Sequence, residues 1–271
     1  MLSVTDLTGY LFCARKLYFA KILGIKELPK EPAIKGKIKH AVVEDAGRED
    51  KTVIGSFSRE DAQETLEMRY RKMYYQILMR HVQNARDALA AQGLHPLDVY
   101  KELWLFFLAE AKAKTERVFN AAQETGYYGE ALWLALPKGI PELRIASETL
   151  NLVGVIDSVS SGFIPIEMKT GKAPAQGVWK EHMIQVGAYM LLLSDHFGTE
   201  VSEGYVDYRS VNEQRKVTMN PFLRDEIMEL IQRVDVLLRS KELPPKTTEI
   251  KKCNTCGVRE TCYGWKEKLS E

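Results

Sequence analysis

Two carboxylates and a lysine in this chain have the types and the spacing of a metal-dependent hydrolase. Asp157 is followed by Glu167 and then by Lys169, in the pattern D-x9-E-x-K. Residues two apart in a strand share a face, so Glu167 and Lys169 point the same way. Acidic oxygens suit Mg²⁺ or Mn²⁺, and a lysine can stabilise charge around a phosphorus atom under attack. The set predicts phosphodiester hydrolysis by a metal-activated water; the alternative is an ordinary surface ion pair.

Three further side chains fit the same chemistry. Gln185 and Tyr189 are four residues apart and therefore share one helical face. A glutamine can orient a water or a phosphate, and a tyrosine can stack on a base. His40 follows the basic run K-G-K-I-K, and imidazole is a good ligand for Mn²⁺. Each also has a plain structural interpretation, as core-edge residues or as a structural histidine.

The four cysteines are split between the two ends of the chain. Cys13 stands alone, whereas Cys253, Cys256 and Cys262 form C-x2-C-x5-C. This division predicts one shared object that ties the ends together: two disulfides, a zinc ion or an iron–sulfur cluster. The N-terminus has no secretory pattern, so we expect a cytoplasmic protein with reduced thiols, which disfavours disulfides. Zinc commonly uses paired C-x2-C knuckles, which a lone Cys13 and a five-residue gap do not match.

Helices are predicted on both sides of the histidine motif. A first helix covers residues 3–23 and opens at Ser3 with Asp6 three residues on, a variant of the capping box. A second carries His40, from Ala33 to about Ala46. Two long helices follow, one from Ser58 to about Gln92 and one from Leu97 to about Glu124. They form either a hairpin with a core-facing aromatic stripe or a lid over a substrate groove.

After Pro141 the pattern changes from helical to alternating, which predicts the strands that carry the carboxylates. The predicted elements are a strand Arg144–Asp157, a turn Ser158–Ser161, a strand Gly162–Lys169, a helix Ala175–Phe197, a strand pair Gly204–Ser210 and Gln214–Met219, and a helix that starts at Asn220–Pro221 and ends near Lys241. A hairpin of the first two strands brings Asp157 close to Glu167.

Composition sets limits on the protein class. Of 271 residues, 45% are hydrophobic and 28% are charged, as expected for a globular protein with a sizeable core. The longest apolar segments are far shorter than the ~20 residues of a membrane span, so no membrane association is expected. A net charge of +1 neither favours nor excludes a nucleic-acid enzyme, since a local groove suffices.

Together, the order of these motifs resembles a known family. The series H40…G-V-I-D157…I-E167-M-K169…Q185-V-G-A-Y189, bracketed by the split cysteines, resembles the RecB-like branch of the PD-(D/E)xK nucleases. More narrowly, it is similar to the CRISPR-associated iron–sulfur exonucleases, the fourth Cas protein family. The resemblance covers roughly residues 1–50 and 145–271.

The resemblance implies a role for each residue. His40, Asp157, Glu167 and the backbone carbonyl of Met168 would bind the catalytic Mn²⁺ or Mg²⁺. Lys169 would act on the attacking water, while Gln185 and Tyr189 would position substrate and lysine. The four cysteines, Cys13, Cys253, Cys256 and Cys262, would hold a structural [4Fe–4S] cluster. The family cuts single-stranded DNA and trims new spacers for the CRISPR spacer-integration complex, in antiviral defence.

The implied fold is α/β, with a mixed central sheet flanked by helices in a restriction-endonuclease-like nuclease core. We expect the core at 1–57 and 137–245, an inserted helical hairpin at 58–136 and a cysteine segment at 246–271. The insertion is longer than family members usually have between the histidine and aspartate motifs. The alternative functions are a non-catalytic assembly factor of the integration complex and a zinc-stapled DNA-binding protein.

Overall fold

The computed structural model describes residues 1–25, 27, 29–240 and 242–265, which form two compact units. The α/β unit comprises Met1–Leu28 and Gly139–Glu271, and the helical unit comprises Pro29–Lys138. In chain order the elements are β1 Leu2–Ser3, α1 Val4–Phe12, α2 Ala14–Lys21, α3 Glu31–Gly55, α4 Gln63–Asn84, α5 Arg86–Ala90, α6 Pro96–Thr125, α7 Gly129–Ala135, β2 Ile140–Ser147, β3 Leu152–Ser160, β4 Ile164–Lys169, α8 Lys180–Phe197, β5 Glu203–Tyr208, β6 Glu213–Thr218, α9 Pro221–Arg239, α10 Ile250–Thr255 and α11 Arg259–Gly264.

The α/β unit is built on one mixed sheet of six strands, as the resemblance implied. The strands run in the order β1-β3-β4-β5-β6, with β2 also paired to β3. The β1–β3 and β4–β5 pairs are parallel, whereas β2–β3, β3–β4 and β5–β6 are antiparallel. Antiparallel β3 and β4 meet with Ser158 opposite Ile166, and parallel β4 and β5 meet with Lys169 opposite Tyr208. The carboxyl ends of the parallel strands β4 and β5 therefore meet at Lys169.

Helix α8 forms the centre of the α/β unit. It is apolar around nearly its whole circumference, and its residues 184–193 are all buried, as expected for a helix enclosed on every side. It packs on strands β2 to β6 and on α1 and α9. A Cβ added to Gly187 would lie 2.6 Å from Ile227 Cδ1, so glycine here permits the close approach of α9. The contacts on all sides hold α8 in one orientation against the sheet.

The chain bends at Cys13, between two N-terminal helices. Ser3 caps α1 through the predicted capping box: its hydroxyl accepts from Asp6 N–H, and the Asp6 carboxylate accepts from Ser3 N–H. The single helix predicted for residues 3–23 is wrong, because Cys13 has extended backbone angles (φ −168°, ψ 113°) that separate α1 from α2. Cys13 ends α1 by donating its N–H to the Gly9 carbonyl and begins α2 by accepting from Leu17 N–H.

The helical unit has its own core, formed by α3, α4, α6 and α7. Tyr70, Tyr74 and Phe107 are fully buried in it, and the rings of Tyr74 and Phe107 stack with centroids 5.4 Å apart. These residues form a core-facing aromatic stripe, one of the two alternatives that the sequence left open for these helices. Ile34, Ile38 and other apolar residues of α3 are buried in the same cluster. Helix α3 therefore lies within the helical unit, which begins at Pro29, whereas the sequence placed the start of the insertion at residue 58.

None of the helices in the described ranges combines the length and the apolar character that a membrane span requires.

Candidate active site

Asp157 lies in β3 where this strand pairs with β4. Its Oδ2 accepts a hydrogen bond of 2.7 Å from the backbone N–H of Met168, on the neighbouring strand. Asp157 and Glu167 also interact through their side chains. The strand pairing therefore brings the two predicted carboxylates together, although the predicted strand boundaries differ. The segment Arg144–Asp157 spans parts of two strands, β2 and β3, with a turn at Asn151 in the left-handed region (φ 51°).

Glu167, Lys169 and Gln185 form a closed triangle of hydrogen bonds. Lys169 Nζ donates to Glu167 Oε1 and to Gln185 Oε1, each at 2.8 Å. Gln185 Nε2 donates to the same Glu167 oxygen at 2.8 Å. Glu167 and Gln185 are only 5% and 7% exposed, so these bonds lie largely out of water. An ammonium has three N–H donors, and the triangle uses two of them; the third suits a water or a phosphate oxygen.

Tyr189 extends the triangle one helical turn further. Gln185 Nε2 lies 3.0 Å from its hydroxyl oxygen, and Tyr189 is 2% exposed. Burial raises the pKa of this hydroxyl far above its usual value, and the nearby Glu167 adds to the effect. The hydroxyl is therefore neutral at any physiological pH. A buried ring cannot stack on a base, so the structure assigns Tyr189 to holding Gln185 in place.

Gly154 in β3 makes room for the Tyr189 ring. A Cβ at this position would lie 2.7 Å from Tyr189 Cε1 and 3.1 Å from Val4 Cγ2. We expect Gly154→Ala to lower the free energy of unfolding by about 1–3 kcal/mol, because a packed core cannot absorb the extra methyl group. Urea unfolding measures this loss. The matched control is Gly47→Ala on α3, where a Cβ meets nothing within 4 Å; an equal loss in both variants would contradict the steric explanation.

Burial raises the pKa of Asp157 from 3.8 to about 6. The Met168 N–H and the charge of Lys169 act in the opposite direction, and Glu142 adds to the rise. A carboxylate that is costly to ionise in the folded protein gains most from a bound cation, because the cation replaces the lost hydration. Asp157 is therefore suited to hold a divalent metal together with Glu167.

We expect Asp157→Asn to stabilise the metal-free protein. Because the folded-state pKa is the higher one, the wild type loses stability as pH rises from about 4 to about 6, whereas asparagine does not titrate. Above pH 6 the variant should be more stable by roughly 1–3 kcal/mol, since one pKa unit is worth about 1.4 kcal/mol. Urea unfolding in EDTA at pH 4.5 and 7.5 measures the difference. A gap that does not widen with pH would contradict the assignment, and Mn²⁺ should stabilise only the wild type.

The other predicted metal ligands have different placements. Met168 lies in β4 between Glu167 and Lys169, and its N–H is used by Asp157. His40 lies on α3, in the helical unit. No group of three or more His, Cys, Asp or Glu side chains within the described ranges is gathered closely enough to hold a metal ion. The role of His40 and of the Met168 carbonyl as ligands stays a prediction.

Two residues that lie near Lys169 were not identified from the sequence. His182 lies one turn before Gln185 on α8, and its Nδ1 is 2.9 Å from the hydroxyl oxygen of Tyr208. Tyr208 ends β5 opposite Lys169. The spacing H-x2-Q-x3-Y was a usable signal for His182, because it continues the helical face of Gln185 and Tyr189. The signal for Tyr208 lay only in strand pairing.

The four cysteines line one small cavity of the α/β unit. Cys13 comes from the bend between α1 and α2, and Cys253, Cys256 and Cys262 come from α10, the residue after it and α11. No cysteine is in a disulfide. The cavity is also lined by five cationic residues: Arg15, Lys16, Lys246, Lys252 and Arg259. Cations favour thiolates, so the chemistry of the donors and their surroundings suits an anionic metal–thiolate group, although no three of the described thiols are gathered so that they could hold a metal ion as they stand.

Hydrogen bonds of two of these cations join the same two segments. Arg15 Nη1 donates to the Pro244 carbonyl at 2.7 Å, and Lys252 Nζ donates to the Leu11 carbonyl at 3.1 Å. Burial raises the pKa of the Cys256 thiol, so a bound metal would have to displace its proton. The N-terminal helices and the C-terminal segment thus meet around the thiols.

Sequence comparison finds relatives that are named as nucleases. A CRISPR-associated exonuclease Cas4/endonuclease Cas1 fusion of Myxococcus xanthus is 31% identical over 134 residues, 47% of this chain and 24% of the relative. The corresponding fusion of Leptospira interrogans is 27% identical over 183 residues, 63% of this chain and 32% of the relative. A DNA replication ATP-dependent helicase/nuclease of Arabidopsis thaliana is 27% identical over 131 residues, 46% of this chain and 10% of the relative.

The chain spans a third or less of the length of these relatives. A family model covers far more of it. The model of the PD-(D/E)XK nuclease superfamily matches residues 1–263, a range that includes the hydrogen-bonded triangle, Asp157 and all four cysteines. The chain therefore belongs to the PD-(D/E)XK nuclease superfamily.

Proposed function

We propose that the protein is a metal-dependent exonuclease of single-stranded DNA with a structural [4Fe–4S] cluster, which trims spacer precursors in CRISPR adaptation. The observation that carries the proposal is the triangle of Glu167, Lys169 and Gln185 beside the buried Asp157. A surface ion pair would need neither the burial nor the amide that links lysine to carboxylate. The names of the two fusion relatives support the CRISPR context.

The carboxylates are suited to hold Mn²⁺ or Mg²⁺, which would polarise the phosphate and lower the pKa of water. Asp157 and Glu167 supply hard oxygen ligands, and the Met168 carbonyl would join them. The Met168 N–H fixes the Asp157 carboxylate, and Gln185 and Lys169 fix Glu167. Fixed ligands need no reorganisation during the reaction, which is how such sites gain rate.

Lys169 is the group that acts on the reacting atoms. Two of its N–H groups are held by Glu167 and Gln185, which leaves the third to orient the water or to stabilise charge on the phosphate. Tyr189 holds the amide of Gln185, which in turn accepts from the lysine. Loss of Gln185 would therefore free the lysine without removing its charge.

The cysteines would hold the cluster as a structural element. It would tie α1 and α2 to the C-terminal segment, where Arg15 and Lys252 already bond to backbone carbonyls of the opposite segment. Zinc and iron–sulfur both accept four thiolates, so metal analysis of anaerobically purified protein decides between them. Iron with acid-labile sulfide is the expected result.

The partners follow from the same context. We propose that the protein acts with the spacer-integration machinery, because two relatives are named as fusions to the Cas1 endonuclease. A protein that binds DNA or the integrase but cleaves nothing with any divalent metal would instead be an assembly factor.

A nuclease assay tests the activity. Single- and double-stranded oligonucleotides, labelled at the 5′ or the 3′ end, are incubated with the protein and Mg²⁺, Mn²⁺ or EDTA. We expect progressive shortening of the single strand with either metal and none in EDTA. Degradation that persists in EDTA, or that is confined to duplex DNA, would contradict the proposal.

A further inference from the structure

His182 occupies the rim of the candidate active site without a role in the triangle. It lies on the same face of α8 as Gln185 and Tyr189, three and seven residues before them, and its side chain is half-buried. Lys169 is close enough to affect its ionisation. Tyr208, its hydrogen-bond partner, pairs with Lys169 across two parallel strands.

The hydrogen bonds around Tyr208 favour one position for the ring proton of His182. The Tyr208 hydroxyl oxygen accepts from the Trp179 backbone N–H at 3.2 Å. Its own proton can then be donated to His182 Nδ1, which lies 2.9 Å away. With Nδ1 as the acceptor, the proton of a neutral imidazole lies on Nε2.

The ring is neutral at physiological pH. Burial lowers the pKa of His182 to about 4, and the charge of Lys169 contributes. A neutral ring avoids repulsion with the lysine and still offers one N–H donor at Nε2. Such a donor suits an anionic oxygen, since hydrogen bonds to charged groups are stronger than those between neutral groups.

We propose that His182 Nε2–H binds a non-bridging phosphate oxygen of the DNA strand next to Lys169, with Tyr208 as the positioning residue that holds the ring. The proposal rests on the proposed function, because it assigns this subsite to the phosphate backbone of the same substrate. It makes His182 a substrate-binding residue in addition to the triangle. A merely structural histidine would need only its bond to Tyr208.

Two amide variants separate these roles. Asparagine places its amide near the position of Nδ1, so His182→Asn can keep the bond to Tyr208 but has no donor at Nε2. Glutamine places its amide nitrogen near Nε2, so His182→Gln keeps the donor. Binding of a fluorescent single-stranded oligonucleotide is measured by anisotropy in EDTA, and KM and kcat are measured separately with Mn²⁺.

We expect His182→Asn to weaken binding and raise KM by about 10-fold or more, the size of one hydrogen bond to a charged oxygen. His182→Gln should stay within about threefold of wild type, and Tyr208→Phe should fall between them. Thermal unfolding confirms that each variant folds. The reverse order, with His182→Asn like wild type and His182→Gln impaired, would show a structural histidine and overturn the proposal.

The two proposals fail in different ways. If the wild type cleaves DNA and His182→Asn binds and cleaves it equally well, only the proposal of the phosphate subsite is overturned. If the wild type neither binds nor cleaves single-stranded DNA, the proposed function is overturned, and the proposal of the subsite fails with it.

Discussion

We expect Glu167→Gln to abolish DNA cleavage, with kcat lowered by at least about 10³-fold. Loss of a central electrostatic group has an effect of this size. The side chain keeps its length but loses the charge that a divalent metal needs. It also presents a neutral amide to Lys169, whose Nζ donates to Glu167 Oε1 at 2.8 Å in the wild type. Both changes act on the same step. Initial rates on end-labelled single-stranded DNA with Mn²⁺ measure the loss.

The matched control for this variant is Glu148→Gln. Glu148 is an exposed acid in the turn between β2 and β3, and the same change of charge there should leave the rate within about twofold. Glu148 lies outside both strands, because β2 ends at Ser147 and β3 begins at Leu152. Full cleavage by pure Asp157→Ala and Glu167→Ala would rule out the assigned site altogether.

Much of the fold follows from local signals in the sequence. The capping box at Ser3, the Asn220–Pro221 start of α9 and the long helix α6 were all predictable, because caps and helical periods depend on residues close in sequence. The strand pair β5–β6 was also predicted, to within two residues at each end. Helix α4 starts later than predicted, at Gln63 rather than Ser58.

Other features depended on contacts between distant residues. The turn that separates β2 from β3 passes through Asn151 in the left-handed region, which periodicity alone does not reveal in an apolar run. The boundary at Pro29 depends on α3 packing in the helical core through Ile34 and Ile38. The positions of this turn and of this boundary are decided by tertiary burial rather than by local conformational preference.

The residues of the candidate site also divide into those that local sequence patterns reveal and those that depend on distant contacts. Glu167, Lys169, Gln185 and Tyr189 could be found because strand and helix periods place them on known faces. The role of Tyr189 changed, since its burial makes it a support for Gln185 rather than a stacking platform for bases. Tyr208 could not be found, because its position beside Lys169 depends on the parallel register of β4 and β5.

The largest structural effect is expected from Cys256→Ser, which removes one predicted cluster ligand. Two segments far apart in sequence meet at this cavity, where hydrogen bonds of Arg15 and Lys252 and the tilted rings of Phe19 and Trp265 (5.4 Å between centroids) also join them. Loss of a structural metal group belongs to the few changes that cost more than about 4 kcal/mol. We expect loss of iron and a marked fall in the unfolding temperature.

The location of that damage distinguishes a shared staple from general destabilisation. Hydrogen exchange should speed up together in α1–α2 and in α10–α11, because one group holds both segments, while α8 stays protected in its own core. Asn254→Ser, an exposed neighbour of Cys253 on α10, is the control and should keep both iron and protection. If Cys256→Ser loosened only α10–α11, Cys13 would not share the group. In that case the N-terminal helices would be held by Arg15, Lys252 and the surrounding apolar contacts alone, and the split cysteines would not form one site.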